Sequence, residues 1–259
     1  MNAFVLKIIA LTTMIIDHMG AIMPENFGVE FRVVGRVAFP IYVFLVAEGF
    51  RHTSSPFKFL ARLGIFAIIS EPVFDLALFG EINFLANTNI FYTLFLGGAA
   101  IISYQRVRDA LTARCDELWR ADRHKAELIS SAAPAVAFLP GLGFMFVAQL
   151  LSTDYGGYGV FFILCMYAIK AARFRLAAMV ALCLWQHIDI ISFALEGYIH
   201  VIPTLYLLAV PATLVPVVLV ALYNGRRGIG WKWFFYASYP AHLGVLLLVS
   251  SWLNSPVLS

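Results

Sequence analysis

Hydrophobic residues run through this chain in long segments that are separated by short polar stretches. A helix needs about 20 apolar residues to cross a bilayer, and windows of that length predict nine spans. These spans are residues 4–23, 36–52, 57–79, 88–104, 134–151, 155–169, 176–195, 204–223 and 233–253. The runs are too long for the strands of a membrane barrel. The pattern predicts an all-α, polytopic integral membrane helical bundle of about nine transmembrane helices, folded as one domain over residues 1–259.

Composition supports the same class. The chain is 61% hydrophobic and only 13% charged, with a mean hydropathy of +0.84, whereas soluble domains are about half apolar and a quarter charged. Its three cysteines show neither paired nor metal-ligand spacing, so we expect no disulfide framework and no metal site. The first apolar run carries Asp17-His18 where a cleavable signal peptide would be uninterrupted. We therefore expect that run to be a membrane helix.

The one long polar connection covers residues 105–131. Its charge-rich composition is typical of a solvated loop, although a short amphipathic interfacial helix is a second interpretation.

The basic residues predict an orientation. If the N-terminus is cytoplasmic, 16 of the 18 Lys and Arg residues fall on the inner side, and only Arg32 and Arg36 fall outside. This bias predicts a multi-pass protein of the inner or plasma membrane with its N-terminus in, its C-terminus out and the 105–131 loop in the cytoplasm.

The two exceptions lie four residues apart, so they share a face if the second span extends that far. They could simply reach to the lipid head groups. Arg36, however, lies inside an apolar segment, where an ionisable group is costly and usually functional.

The first helix carries the strongest candidate for chemistry. Lys7 and His18 are 11 residues apart, which places them within about 20° on one face and about 16 Å apart along the axis. A cationic inner end and a deeper imidazole suit a cavity that an anionic ligand enters from the cytoplasm. A structural hydrogen bond is the alternative for His18, but the adjacent Asp17 favours function.

Other polar residues gather in the outer half of the predicted bundle, and each of them could be a structural interhelical hydrogen bond. Together they predict a substrate-binding pocket that opens outward. Its predicted residues are Arg36, Asp75, Asn89, Tyr155, His187 and His242.

The inner rim offers basic groups that suit phosphate binding. Arg51, His52, Lys58 and Arg62 flank one short turn, although the tendency of cytoplasmic loops to be basic would place them there without any ligand.

Several blocks of sequence resemble the TraX family of membrane acetyltransferases, whose namesake N-acetylates conjugative F pilin. The matching blocks are Lys7-Ile-Ile-Ala-Leu to Asp17-His18, Gly35-Arg36-Val-Ala-Phe-Pro40, Glu48-Gly-Phe, Asn89-Ile-Phe-Tyr-Thr93, Asp154-Tyr-Gly and Tyr239-Pro-Ala-His242-Leu. A basic residue and a histidine on the first helix also resemble the broader transmembrane acyl-CoA transferases.

The resemblance implies acetyl-CoA as co-substrate, delivered from the cytoplasm to an acceptor on the other side of the membrane. His18 would be the catalytic group with Asp17 beside it, and Arg36 and His242 would lie in the pocket. The predicted donor-binding residues lie at the inner end and are Lys7, Glu48, Arg51, His52, Lys58 and Arg62, of which the basic ones suit the donor's phosphates.

His18 suits the role of general base, because histidine titrates near neutral pH; an acetyl-histidine relay is a variant. Asp17 is about 100° away around the helix, so we expect it to contact Arg36 or the acceptor amine instead of His18.

The partners we expect are an acyl-CoA donor, membrane lipid, and an acceptor that is a peptide N-terminus, a sugar or a lipid, with no nucleic acid. Two other classes are consistent with the residues. A small transporter also places polar groups at membrane depth, and a non-catalytic scaffold would not depend on His18.

Overall fold

The computed structural model describes residues 1–84, 86–193, 195 and 204–254, with the backbone alone at 24–26, 29, 190, 193 and 204–206. Eleven helices and no strand occur within these ranges. The helices are α1 (Ala3–Ile22), α2 (Pro24–Gly35), α3 (Ala38–His52), α4 (Pro56–Leu78), α5 (Ile90–Leu118), α6 (Arg123–Leu150), α7 (Gly156–Ala168), α8 (Ala172–Trp185), α9 (Ile188–Phe193), α10 (Thr204–Ala221) and α11 (Lys232–Leu253). The prediction of an all-α fold is confirmed.

Each of the nine predicted spans falls on helix, with two refinements. The span 36–52 is α3, and α2 precedes it as a helix that breaks at Gly28, where φ is +62°. The span 176–195 divides into α8 and α9, and residue 194 lies outside the described residues. Five segments are long and apolar enough to cross a membrane by length and composition: Ala3–Ile22, Glu30–His52, Ile90–Leu118, Arg123–Leu150 and Lys232–Leu253.

The prediction of a loop over 105–131 is wrong. Helix α5 continues to Leu118 and α6 begins at Arg123, so only four residues form the turn. The segment is rich in Arg, Ala and Leu, which favour helix even when they are solvated. Ion pairs one turn apart add support, as Arg114 to Glu117 at 2.8 Å shows. Asp122 caps α6 by accepting from the Lys125 N–H at 3.1 Å, and its further hydrogen bond to the Lys125 side chain lowers the pKa of its carboxyl.

Contacts divide the chain into two compact units. Unit 1 comprises residues 1–45, 68–84 and 168 onward. In it, α1 packs on α2 and α11, and α10 packs on α8 and α2. A stripe of buried side chains at intervals of four, namely Leu6, Ala10, Met14 and His18, fixes the inward face of α1.

Unit 2 comprises residues 46–67 and 85–167. The α5–α6 hairpin is its largest contact, with a cluster formed by Leu96, Ala100, Ala148 and Val160. Whether the two units act as one acyltransferase domain stays a prediction.

Two helices present apolar stripes on their exposed sides. On α6 these residues are Leu139, Leu142, Phe146 and Leu150, and on α11 they are Val245, Leu248 and Trp252. Large exposed apolar faces are typical of surfaces that contact lipid, so the stripes support a membrane setting for both units.

Close packing of glycines generates a prediction for unit 2. A Cβ added to Gly98 on α5 would lie 2.7 Å from the Phe50 ring and 3.0 Å from Leu60. Overpacking of this kind typically costs about 1–3 kcal/mol. We expect Gly98→Val to lower the thermal unfolding midpoint of the detergent-purified protein.

The matched control is Gly143→Val on α6, where an added Cβ meets nothing within 4 Å. Both positions are inside helices, so the intrinsic cost of valine in a helix cancels. Equal losses in the two variants would contradict the packing described for α5.

Candidate functional site

Two histidines from the ends of unit 1's sequence meet in its interior. His18 continues the buried stripe of α1 and is 8% exposed. His242 lies on α11, between the buried side chains of Tyr239 and Leu243. Helices α1 and α11 pack together, and this contact brings the imidazoles side by side although 224 positions separate them in the sequence.

The imidazoles are joined edge to edge. His18 Nδ1 lies 2.6 Å from His242 Nε2, while the ring centroids are 4.9 Å apart and the planes differ by 11°. Because the two nitrogens are much closer than the two centroids, the nitrogens point at each other within nearly one plane. This geometry is that of a linear N–H···N hydrogen bond, not of face-to-face stacking.

The surroundings select the tautomer of each ring. His242 Nδ1 lies 2.8 Å from the carbonyl oxygen of Ser238. A carbonyl can only accept, so His242 Nδ1 carries a proton and, in the neutral ring, His242 Nε2 is an acceptor. His18 Nδ1–H then donates to it. A neutral His18 consequently keeps its lone pair on Nε2, as a general base or nucleophile requires.

Tyr239 forms an aromatic wall beside this histidine pair. Its ring meets His18 edge-on at 5.9 Å and His242 edge-on at 5.6 Å, and its side chain is 3% exposed. Contacts with both rings restrict their rotation.

A second polar cluster begins one residue before His18. Arg32 Nη1 donates to Asp17 Oδ2 at 2.6 Å, and Arg36 Nε donates to the Arg32 carbonyl at 3.2 Å. We call these three residues the Asp17 cluster. The sequence led us to expect that Asp17 would contact Arg36 or the acceptor; in the structure its ion pair is with Arg32, because α2 folds back along α1.

Gly35 makes this contact possible. A Cβ at Gly35 would lie 2.0 Å from Asp17 Oδ1 and 2.3 Å from Asp17 Cβ. Any larger residue would therefore displace the aspartate.

The far end of α1 is cationic. Lys7 lies over the Phe235 ring at 5.4 Å and within electrostatic range of Arg227. The Ala3 N–H donates to the Arg226 carbonyl at 2.9 Å, so the connection between α10 and α11 is attached to the start of α1. Among the described residues, no carboxylate forms an ion pair with Lys7 or Arg227.

The remaining predicted pocket residues of unit 1 have anchoring contacts. Asp75 is 1% exposed, and its Oδ2 accepts from the Asn83 N–H at 2.7 Å. His187 Nε2 lies 2.7 Å from Thr213 Oγ1, and that hydroxyl donates to the Ala209 carbonyl, so His187 Nε2 is the donor. Arg36 lies within electrostatic range of His187.

Two predicted pocket residues belong to unit 2. Asn89 caps α5, because its Oδ1 accepts from the Phe91 N–H, and its amide donates to the Ala67 carbonyl at 2.8 Å. Tyr155 directly precedes α7 and is half-buried.

Among the predicted donor-binding residues of unit 2, Arg51 is held by three hydrogen bonds. Arg51 donates to Glu48 at 3.0 Å and to the carbonyls of Met166 and Tyr167 at 2.6 and 2.7 Å, which places a cation at the C-terminal end of α7.

The other three basic residues, His52, Lys58 and Arg62, form fewer contacts with the protein. His52 Nδ1 lies 2.9 Å from the Glu48 carbonyl, Lys58 is exposed, and Arg62 lies over the Phe59 ring. Within the described parts of the chain, no group of three His, Cys, Asp or Glu side chains could hold a metal ion.

Sequence reasoning missed Arg32 as the partner of Asp17, and it missed Ser238 and Tyr239. Arg32 had a signal, since it is a basic residue one turn before Arg36. Ser238 acts through its backbone carbonyl, which leaves no trace in the identity of the side chain.

The sequence is similar to a known protein family and to a fimbrial assembly protein. The family model described as TraX protein matches residues 3–250. The probable fimbrial assembly protein FimC, serogroup H1, of Dichelobacter nodosus is 29% identical over 264 residues, covering 95% of this chain and 94% of that protein. No solved structure matches the chain. Because the family match extends across α1 to α11 and includes both histidines, the chain belongs to the TraX family.

Proposed function

We propose that this chain is a membrane acetyltransferase that transfers the acetyl group of acetyl-CoA to an amine or hydroxyl of an acceptor. The observation that carries the proposal is the hydrogen-bonded series from Ser238 O through His242 to His18, which leaves the lone pair on His18 Nε2.

In the proposed reaction an acceptor amine attacks the thioester carbonyl carbon. As the N–C bond forms, His18 Nε2 takes a proton from the amine nitrogen. The C–S bond then breaks, and the coenzyme A thiolate leaves and receives that proton. His242 stabilises the imidazolium of His18 by accepting a hydrogen bond from its Nδ1–H. His242 thus has the role that the third residue has in a catalytic triad.

A two-step variant uses the same nitrogen. His18 Nε2 attacks the thioester carbonyl carbon, the C–S bond breaks and coenzyme A leaves as the thiolate. The acceptor amine then attacks the acetyl carbonyl carbon, the bond from that carbon to His18 Nε2 breaks, and the proton of the amine passes to the thiolate. In both routes Asp17 is held by Arg32, so we assign Asp17 a positioning role and give the proton transfer to His18.

We assign the donor's phosphates to the cationic end of α1. Lys7 and Arg227 are like charges that lie near each other, and a bound anion relieves their repulsion. His18 lies about 16 Å further along the same helix, so an extended donor could place its phosphates at one end and its thioester at the other. The donor contacts predicted for Glu48, Arg51, His52, Lys58 and Arg62 stay predictions.

The similarity to a fimbrial assembly protein indicates the class of the acceptor. A probable fimbrial assembly protein is similar to this chain over nearly its whole length, so we propose a pilin-type subunit as acceptor. The nine spans, the cytoplasmic N-terminus and the inner membrane location belong to the same proposal, supported by the distribution of basic residues.

The first prediction from this proposal separates chemistry from donor binding. We expect His18→Gln to lower acetyl transfer by about a hundredfold or more, because a positioned general base contributes about 10²–10⁴, while acetyl-CoA still binds. We expect Lys7→Gln and Arg227→Gln to weaken acetyl-CoA binding, since charge-assisted contacts are worth about 1.5–3 kcal/mol.

Calorimetry and turnover on the same preparations measure both quantities, with the exposed Arg114→Gln as control. Full activity in His18→Gln would exclude the catalytic assignment. Equal loss of donor binding in His18→Gln and Lys7→Gln would show that the histidine organises the site.

The second prediction tests the tautomer. His242→Phe removes the acceptor for His18 Nδ1–H, and we expect transfer to fall by about ten- to a hundredfold with donor binding unchanged. His242→Gln can offer an amide oxygen at that place, and we expect it to restore part of the rate. The same kcat in the Phe and Gln variants would argue against a hydrogen-bonding role.

The third prediction concerns the close approach of Gly35. We expect Gly35→Ala to displace Asp17 and to lower transfer, whereas Gly143→Ala, which meets open space, should not. Acetylation assays paired with thermal unfolding distinguish a local effect from loss of fold. Wild-type activity in Gly35→Ala would mean that the Asp17–Arg32 pair is dispensable.

A further inference from the structure

Within the Asp17 cluster, Arg36 has guanidinium nitrogens left for a ligand. Its Nε donates to the Arg32 carbonyl. Among the described residues, no hydrogen bond involves its two terminal nitrogens, and no carboxylate lies within ion-pair distance of them. The side chain is half-buried, so these donors remain open to a ligand.

The charges in the cluster do not balance. Asp17 forms an ion pair with Arg32 at 2.6 Å and also lies within electrostatic range of Arg36, so one carboxylate faces two guanidinium groups at the start of the apolar segment Glu30–His52. A cation at membrane depth without a counter-ion is costly. The planar fork of a guanidinium matches a carboxylate or phosphate through two parallel hydrogen bonds, so an anion is the ligand that this position favours.

The position of Arg36 connects that anion to the reacting groups. Arg36 bonds the backbone of Arg32, Arg32 holds Asp17, and Asp17 is adjacent to His18 in α1. Arg32 is also within electrostatic range of His18. These contacts place Arg36 in a polar cluster next to the histidine pair, so an anion bound at Arg36 belongs to a molecule that lies near His18.

We infer that the acceptor is a peptide with an acidic side chain close to its amino terminus, whose carboxylate binds the open end of the Arg36 guanidinium. The inference rests on the proposed function, and the peptide class follows from the fimbrial assembly relative. A lipid phosphate could occupy the same guanidinium, and the experiment below treats that case as a contrary outcome.

The experiment compares two labelled hexapeptides, Ala-Ser-Asp-Gly-Ser-Gly and Ala-Ser-Asn-Gly-Ser-Gly, which differ by one carboxylate. Their binding to the full-length, detergent-purified protein is measured by fluorescence anisotropy without acetyl-CoA. We expect the wild type to bind the Asp peptide about ten- to a hundredfold more tightly than the Asn peptide.

Variants then assign the difference to Arg36. We expect Arg36→Gln to bind both peptides equally, and Arg36→Lys to keep part of the preference, because a lysine keeps the charge and loses the planar fork. Arg120→Gln, at an exposed arginine in the α5–α6 turn, should preserve the full preference. Thermal unfolding shows that each variant is folded, and Arg36→Lys retains the test if Arg36→Gln does not fold.

Binding is measured without catalysis, so this inference and the proposed function can fail separately. Specific binding of the Asp peptide without acetyl transfer would exclude the acetyltransferase function and still support the peptide-binding site at Arg36. Acetylation of both peptides with equal kcat/KM and equal affinity would overturn the Arg36 inference alone. A preference that survives in Arg36→Gln would also overturn it. A third result would overturn the inference as well. If the wild type binds both peptides equally and binds phosphatidylglycerol vesicles, and Arg36→Gln loses the vesicle binding, then Arg36 binds lipid phosphate.

Discussion

The hydrogen bond between His18 Nδ1 and His242 Nε2 is the constraint on which unit 1 depends. Two imidazoles in an apolar interior lose their contacts with water, and each must recover them from a protein partner. The 2.6 Å contact does so only if α1 and α11 keep one separation and one rotation. The buried stripe on α1 fixes the rotation, Tyr239 fills the space beside both rings, and the backbone bond between Ala3 and Arg226 holds the other end of the two helices.

Electrostatics divides α1 into two regions with different chemistry. Near its start, Lys7 and Arg227 are cations without a carboxylate partner in the described chain, which suits a highly charged ligand. Near its end, the Arg32–Asp17 ion pair lies beside the histidine pair, and Arg36 leaves this region with one net positive charge. In the reaction that we propose, the donor's phosphates stay at the cationic end of α1 while the proton moves at His18, so no phosphate charge has to enter the apolar interior.

The long apolar runs in the sequence predicted the helices. Ionisable residues within those runs, where contact with lipid is costly, indicated His18, Lys7 and Arg36 as site residues. Charge density over 105–131 was a poor guide to conformation, because good helix formers with ion pairs one turn apart are helical in water as well as in lipid. The partners of these residues could not be predicted, since the pairing of His18 with His242 and the position of Arg51 at the end of α7 depend on tertiary packing across more than a hundred residues.

The distance in sequence between the paired histidines has a consequence for biogenesis. The ribosome makes α1 well before α11, and domains form as synthesis proceeds. Until α11 is in place, His18 lacks the acceptor that fixes its tautomer. Contacts so far apart in sequence are among the slowest to form. The base that we propose is therefore complete only after α11 has packed on α1, and a fragment that ends before residue 242 lacks the histidine pair.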